Sequence, residues 1–228
     1  MEKVLVIDDD PAVQRVLRRT FEGNGFDVVV AQDGTLAMGA VRASKPHLII
    51  LDLRLPGKSG LELCCEIKQQ SPSLPIIVLS ALCDVVNKVL LLELGADDYV
   101  TKPFSPRELL ARARVAVRRP HHDPSKPEVF RFGNIEVNFS AMELHRDGRC
   151  VPMTAQESKL LHFFLKNEER VVSRSELLNE VWGYHSYPTT RTVDTFVLRL
   201  RHKLESDLAE PFHIRTVHGT GYKFVRGT

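Results

Sequence analysis

The feature that most constrains this chain is an apolar run, Leu48–Leu51, that ends on the carboxylate of Asp52. Four consecutive apolar residues without alternation are typical of a strand buried on both faces, as in parallel sheets covered by helices. Asp52 is therefore predicted at the carboxyl end of a strand, the edge where open α/β sheets bind ligands. An aspartate that only caps a turn would fit the same pattern, so the run alone leaves both interpretations open.

Strands and helices alternate over residues 1–119. Apolar runs predict five strands, and apolar residues at helical spacing follow each of them, including a fourth helix from about Val85 to Leu94. Because right-handed crossovers allow few topologies, we expect an α/β, flavodoxin-like (CheY-like), doubly wound five-stranded parallel sheet. The predicted strands are Val4–Ile7, Val28–Ala31, Leu48–Asp52, Ile76–Ser80 and Tyr99–Thr101.

Polar side chains follow four of these strands. Asp8 and Asp9 come after the first strand, Asp52 ends the third, Ser80 the fourth, and Lys102 follows the fifth. Three carboxylates at one sheet edge repel one another unless a cation neutralises them, and oxygen ligands suit Mg²⁺. A lysine and a hydroxyl can hold phosphoryl oxygens. The set is therefore suited to moving a phosphoryl group onto a carboxylate.

The remainder of the chain predicts a second domain. Residues 120–128 contain three prolines and no apolar periodicity, which indicates a stiffened linker. Short strands between residues 130 and 151 precede two helix-capping signatures, at Thr154 and Ser173. A third helix, from about Thr190 to Glu205, is followed by a hairpin over residues 214–224. This order predicts an α+β winged-helix domain over residues 129–228.

The third helix has an apolar and a cationic side. Val193, Val197, Leu200 and Leu204 form its expected core face. A cationic helix side is usually only solvated, but it can also enter the major groove of DNA. The other side presents Arg191, Thr192, Thr195, Arg199 and His202, with Arg201 and Lys203 beside them.

The motifs of the first half resemble the receiver domain of two-component response regulators. They are Asp8-Asp9, Asp52-x-x-x-Pro56, Ser80-Ala81 and Lys102-Pro103-Phe104. The resemblance implies that Asp52 is the phosphoacceptor and that Ser80 and Lys102 contact the phosphoryl group. It implies a switch formed by Ser80 and Tyr99, and catalysis limited to self-phosphorylation and autodephosphorylation. The implied Mg²⁺ ligands are Asp9 and Asp52 directly, Asp8 through water, and the Arg54 backbone carbonyl.

The resemblance also implies a homodimer that forms on phosphorylation. The charged residues that match the family's interface could instead lie on a solvated surface, since exposed ion pairs contribute only about 0–1 kcal/mol each. The implied pairs across the interface are Lys88 with Glu108, Asp98 with Arg112 and Glu93 with Arg114. The full predicted interface set is Lys88, Glu93, Asp97, Asp98, Glu108, Arg112 and Arg114.

The second half resembles the winged-helix output domain of the OmpR/PhoB family. The motifs include Arg191-Thr192-Val193-Asp194 and Gly219-Thr220-Gly221-Tyr222-Lys223-Phe224. The family implies binding to direct-repeat sites in double-stranded DNA, the third helix in the major groove and the hairpin wing in the minor groove. The loop Gly183–Thr189 matches a segment that some relatives use to contact RNA polymerase. The predicted DNA-binding residues are Arg191, Thr192, Thr195, Phe196, Arg199, Arg201, His202, Lys203, Thr216, His218 and Lys223.

Two positions depart from the family pattern. His218 replaces a common minor-groove arginine, and a largely neutral histidine should hold the groove less firmly. Phe196 stands where a polar residue often faces DNA; it can touch a thymine methyl or pack against the neighbouring helix. Both departures affect the expected sequence preference rather than DNA binding itself.

Composition excludes little beyond a membrane protein. The charge is only +2, with 16 basic against 15 acidic residues up to Arg119 and 15 against 14 afterwards, so any DNA-binding signal must be local. No long apolar segment or signal peptide is present, and we expect a cytoplasmic protein without a membrane partner. The four cysteines, at positions 64, 65, 83 and 150, lack metal-site spacing and are expected to be free thiols.

The sequence therefore predicts a transcriptional response regulator with a receiver at 1–119, a linker at 120–128 and a DNA-binding domain at 129–228. A sensor histidine kinase would phosphorylate Asp52 and so promote dimerisation and promoter binding. A regulator that binds DNA without phosphorylation is the alternative. A small-molecule phosphatase or phosphotransferase would need a second acid and a substrate pocket, which the sequence does not visibly supply.

Overall fold

A computed structural model describes residues 1–81, 95–117, 128–182 and 190–227. Its internal contacts divide the chain into two compact units, Met1–Arg118 and Arg119–Thr228. Of the predicted linker, residues 120–127 lie outside the described residues, as do the predicted fourth helix and Cys83.

The N-terminal unit is a parallel sheet in the order β2-β1-β3-β4-β5. The order reverses between β1 and β3, and the register places Ile7 of β1 beside Leu51 of β3. The residues that follow, Asp8 and Asp52, therefore leave the sheet side by side at its carboxyl edge. The flavodoxin-like topology predicted from the sequence is confirmed. The strands are β1 Glu2–Ile7, β2 Phe26–Ala31, β3 Leu48–Asp52, β4 Ile76–Ala81 and β5 Asp98–Lys102.

Four described helices cover this sheet. Capping side chains define two of the helix starts that lie near the carboxyl edge. The Asp10 carboxylate accepts from the Ala12 backbone amide, and Ser59 and Glu62 form a capping box. The core combines strand residues with Leu17, Phe21 and Leu109. The helices are α1 Pro11–Glu22, α2 Gly34–Ser44, α3 Gly60–Gln70 and α4 Pro106–Val117.

Close backbone packing holds the segment between β3 and α3. A Cβ on Gly60 would lie 2.2 Å from the carbonyl oxygen of Asp52, and a Cβ on Gly34 would lie 2.2 Å from that of Lys58. The Gly60 amide donates to the Leu53 carbonyl at 3.0 Å. The two glycines therefore let two helix starts approach the loop that follows Asp52.

In its described residues, the C-terminal unit contains two small antiparallel sheets and three helical segments. One sheet has the order β6-β7-β8-β9 and the other β10-β12-β11. Edge-to-face rings, including Phe132 with Phe224 and Trp182 with Phe196, fill the space between sheets and helices. The strands are β6 Val129–Phe132, β7 Ile135–Asn138, β8 Glu143–Arg146, β9 Arg149–Val151, β10 Val171–Ser173, β11 Ile214–Val217 and β12 Gly221–Phe224; the helices are α5 Ala155–Lys166, α6 Arg174–Leu177 and α7 Thr190–Leu204.

Two local features differ from the sequence prediction. The second helix of this unit is one α-turn, α6, continued by a π-helix over Leu178–Trp182. The short strand β10 was not predicted; it pairs with β12, and a Cβ on Gly221 would lie 2.0 Å from the Val172 carbonyl oxygen. Three residues are too few for the two-residue period of a strand to be recognised in the sequence. The strand forms because β12 of the hairpin offers it a free edge.

Across the parts of the chain that the structure describes, the helices are all too short or too polar to cross a lipid bilayer.

Candidate functional site

Three carboxylates meet at the switch point of the N-terminal sheet. One oxygen from each of Asp8, Asp9 and Asp52 lies within 4.8 Å of the others. Asp8 is fully buried, Asp52 is nearly so, and Asp9 is exposed. Backbone amides orient two of the groups: Asp10 donates to Asp8 at 2.9 Å, and Arg54 donates to Asp52 at 3.3 Å. This geometry provides hard oxygen ligands with one side open to solvent, which fits Mg²⁺.

Lys102 bridges two of these carboxylates. Its Nζ lies 2.6 Å from Asp52 and 2.9 Å from Asp8. Burial raises the pKa of the Asp8 carboxyl above its usual range, although Lys102 opposes the rise. Burial lowers the pKa of Lys102, but the hydrogen bonds to Asp52 and Asp8 outweigh it, so the net pKa is raised and the amine stays charged. The pocket therefore keeps a fixed positive charge beside Asp52.

Ser80 and Tyr99 lie on the strands beside Asp52. Asp52 pairs in register with Leu79, so Ser80 is one residue further along β4, and its side chain is buried. Tyr99 pairs with Val78 on β5, and its ring is also buried. Asp52, Ser80 and Lys102 thus lie at or near the carboxyl ends of three adjacent strands, and Tyr99 lies three residues before Lys102 on β5.

The charges predicted at the dimer interface are largely paired within the chain. Arg112 is buried and donates to Asp98 at 2.8 Å and to Glu108 at 2.7 Å. Arg114 instead donates to Asn24 at 2.9 Å. Burial raises the pKa of Asp98 although Arg112 opposes it. Pairing of Asp98 with Arg112 across two chains would therefore have to replace an existing internal bond.

Asp97, a further predicted interface residue, is buried and bonded within the receiver. Only 2% of Asp97 is exposed, and its carboxylate accepts from Lys68 at 2.6 Å and from the Ile76 amide at 2.9 Å. A buried ion pair with a backbone hydrogen bond leaves no free charge for a partner. The predicted interface residues Lys88 and Glu93 lie outside the described residues.

The cations of helix α7 are less available than their sequence spacing predicts. Glu157 of α5 is fully buried, and its carboxylate pairs with Arg199 at 2.7 Å and with Lys203 at 2.5 Å. Arg199 also lies over the Phe196 ring, 5.0 Å from its centre. Both side chains are therefore held against the body of the domain in this structure, and the predicted contacts of Arg199 and Lys203 with DNA would require them to leave Glu157.

Two further predicted DNA contacts are buried. Thr192 is 2% exposed and Phe196 is not exposed at all. The Phe196 ring packs edge-to-face on Trp182, with centres 5.3 Å apart, so the packing interpretation of this residue is correct and the thymine-methyl interpretation is wrong. The expected core residues Val193, Val197, Leu200 and Leu204 are all buried, which confirms the apolar face.

The solvent side of α7 contains a residue that the sequence prediction missed. Leu198 is 46% exposed, and Thr195, Arg201 and His202 lie on the same side. Leu198 was missed because an apolar residue in an amphipathic helix is expected to face the core. Its spacing from the buried residues is the signal that could have found it. The side chain of Arg191 lies outside the described residues.

The wing residues are accessible to different degrees. Thr216 and His218 are exposed, and Arg201 donates to the Thr216 hydroxyl at 2.8 Å and to the Ile214 carbonyl at 2.7 Å. Lys223 is half-buried and pairs with Glu169 at 2.5 Å. Arg201 therefore ties helix α7 to strand β11 of the hairpin.

Each of the two units matches a known protein family. The response regulator receiver domain matches residues 4–114, and the C-terminal domain of transcriptional regulatory proteins matches residues 148–224. The DNA-binding response regulator MtrA of Mycolicibacterium smegmatis is 41% identical over 222 residues, which cover 97% of this chain and 96% of that protein. The chain is a response regulator of the OmpR/PhoB family.

Other relatives of this response regulator agree with the assignment. The probable transcriptional regulator ycf27 of Guillardia theta is 39% identical, covering 100% of this chain and 92% of that protein. The crystal structure of response regulator DrrB, an OmpR/PhoB homologue of Thermotoga maritima, matches with a TM-score of 0.52 and 33% identity over 99% of both chains. The response regulator is thus a two-component, DNA-binding transcriptional regulator, in a family of regulators rather than enzymes.

Proposed function

We propose that phosphorylation of Asp52 by a sensor histidine kinase controls how tightly this response regulator binds DNA. The observation that carries the proposal is the position of Lys102, whose amine lies 2.6 Å from the Asp52 carboxylate beside two further acids. A lysine that only neutralised buried acids would not need an open side, whereas a phosphoryl group would need both the charge and the access.

The chemistry at Asp52 is a phosphoryl transfer between two side chains. A carboxylate oxygen of Asp52 attacks phosphorus, the P–N bond to the kinase imidazole breaks, and the P–O bond of an acyl phosphate forms. Lys102 stabilises negative charge on the transferred group and Ser80 donates its hydroxyl to it. Hydrolysis later returns inorganic phosphate and the free carboxylate.

Asp8, Asp9 and Asp52 are the residues that would hold Mg²⁺, with the Arg54 carbonyl as a further ligand. The donor set fits because carboxylate and carbonyl oxygens are hard ligands and one side of the cluster is open. When bound, the ion neutralises charge on the phosphoryl oxygens. Asp8, being buried and oriented by the Asp10 amide, fixes the position of the cluster.

The phosphoryl signal would reach the opposite face of the receiver through Ser80 and Tyr99. Movement of the Ser80 hydroxyl towards the phosphoryl group makes room for the Tyr99 ring, and α4 with β5 then forms a two-fold interface. Glu108, Asp98 and Arg112 would exchange internal bonds for bonds to a second chain. Lys88, Glu93 and Arg114 would complete that surface.

A dimer of this kind would place two copies of helix α7 and the wing on successive direct repeats. The exposed His202 and the partly exposed Thr195 and Arg201 would face the major groove, together with Arg191, and Thr216 and His218 would face the minor groove. Contact of the Gly183–Thr189 loop with RNA polymerase is part of the same proposal. That loop lies outside the described residues.

The proposal predicts that Asp52→Ala abolishes Mg²⁺-dependent labelling by acetyl phosphate, because the attacking carboxylate is gone. Labelling is measured by intact-protein mass and by phosphate-affinity gel mobility, with and without EDTA. Asp27→Asn is the matched control, since Asp27 is an exposed carboxylate that pairs with Lys3 at 3.5 Å. Labelling of Asp52→Ala at the wild-type level, or of wild type in EDTA, would contradict the site.

A further inference from the structure

The solvent-facing arc of helix α7 has an apolar centre. Viewed down the axis at about 100° per residue, Leu198 lies between Arg201 and Asp194 on one side and His202 and Thr195 on the other. Leu198 is 46% exposed, so this arc carries a large aliphatic side chain in contact with water. An aliphatic side chain at the middle of this arc offers an apolar contact to whatever α7 binds.

The charges around Leu198 are already arranged to accept a polyanion. Asp194 would repel phosphates, but its carboxylate accepts from Arg174 at 2.7 Å and from the Tyr222 hydroxyl at 2.6 Å. Arg201 is fixed to the wing strand through Ile214 and Thr216. Arg174 therefore neutralises Asp194, whose side chain is 43% exposed, while Arg201 and His202 flank Leu198 on either side of the arc.

We propose that Leu198 is a specificity-determining residue that reads the 5-methyl group of a thymine in the major groove. The inference rests on the proposed use of α7 as the groove-reading helix. The thymine methyl is the apolar feature of the major groove, and aliphatic side chains distinguish it from the polar edges of cytosine and guanine. Arg199 and Phe196, which sequence spacing places on the DNA side, cannot take this role while they pack against Glu157 and Trp182.

The test uses the full chain treated with acetyl phosphate and Mg²⁺ to select a site from a random duplex library. Each thymine of the selected duplex is then replaced singly by uracil, which removes only the methyl group. Loss of one buried methyl should weaken binding by wild type about four-fold at one thymine per half-site. In Leu198→Ala the same replacement should change affinity less than about two-fold, because the aliphatic contact is already absent.

Leu208→Ala is the matched control, because Leu208 is an exposed leucine of the same unit outside α7, at 41% exposure. It should keep the full uracil effect, and all variants should have wild-type unfolding curves followed by Trp182 fluorescence. A uracil effect of equal size in Leu198→Ala, or none at any thymine in wild type, would overturn the inference while leaving DNA binding established. Failure to enrich any duplex would instead contradict the proposed function.

Discussion

At the residue scale, Glu157 connects helices α5 and α7 of the DNA-binding unit. Its fully buried carboxylate takes two cations from α7 and also accepts from the Thr154 amide at 2.8 Å. Burial alone would raise the pKa of Glu157, but Arg199 and Lys203 outweigh it and hold the pKa below its usual 4.5. A depressed pKa in the folded state means that the ionised carboxylate stabilises this unit.

The pH dependence of unfolding tests this role of Glu157. Its contribution is present above pH 4.5 and is lost as the pH falls through the lower folded-state pKa, because the unfolded chain then binds the proton more tightly. Glu157→Gln should therefore lower the free energy of unfolding by about 1–3 kcal/mol at pH 7. The difference in the free energy of unfolding between Glu157→Gln and wild type should be smaller at pH 3.5 than at pH 7.

Urea unfolding followed by Trp182 fluorescence is a selective readout for this experiment. Trp182 is the single tryptophan of the chain and is buried in the C-terminal unit. Glu143→Gln, at an exposed position, is the control and should leave the curves unchanged at both pH values. If the difference in the free energy of unfolding between Glu157→Gln and wild type is the same at pH 7 and pH 3.5, the carboxylate charge does not stabilise this unit.

At the element scale, the start of α3 fixes the backbone that carries Asp52. Gly60→Ala would place a Cβ 2.2 Å from the Asp52 carbonyl oxygen, so the loop or the helix must shift. We expect slower labelling by acetyl phosphate, by about tenfold to 100-fold, since a misplacement of about 1 Å can cost about 100-fold in rate. Calorimetry should show a lower melting temperature for the receiver.

Gly39→Ala is the natural comparison for Gly60→Ala. Gly39 is inside α2, and a Cβ there would meet nothing within 4 Å. Alanine in place of a helical glycine should stabilise the unit by about 0.5–1 kcal/mol and leave labelling unchanged. Equal labelling rates for the two variants would contradict the argument that Gly60 positions Asp52.

Elements with long apolar patterns could be predicted from the sequence, whereas the partners of individual polar side chains within them could not. The parallel strands and the apolar face of α7 follow from local spacing, so the convergence of Asp8, Asp52 and Lys102 followed from strand order. The inward turn of Arg199 and Lys203 depends on Glu157, which lies on another helix. Helical periodicity contains no information about that partner, so the sequence did not indicate that Glu157 holds both cations in this structure.

At the scale of the whole molecule, the central claim joins the two units through phosphorylation. The receiver supplies a carboxylate site with a fixed lysine, and the C-terminal unit supplies helix α7, which Arg201 ties to the hairpin. Coupling between such sites typically amounts to about 1–3 kcal/mol, or about 5- to 150-fold in affinity. A regulator that binds DNA without phosphorylation would show no such coupling.

The most direct test is the affinity for the selected duplex before and after phosphorylation, for wild type and Asp52→Ala at one salt concentration. Intact mass measures the phosphorylated fraction in each sample. The account predicts that acetyl phosphate with Mg²⁺ tightens binding by wild type about tenfold or more and leaves Asp52→Ala unchanged. Wild-type protein that is fully phosphorylated yet binds with unaltered affinity would contradict it.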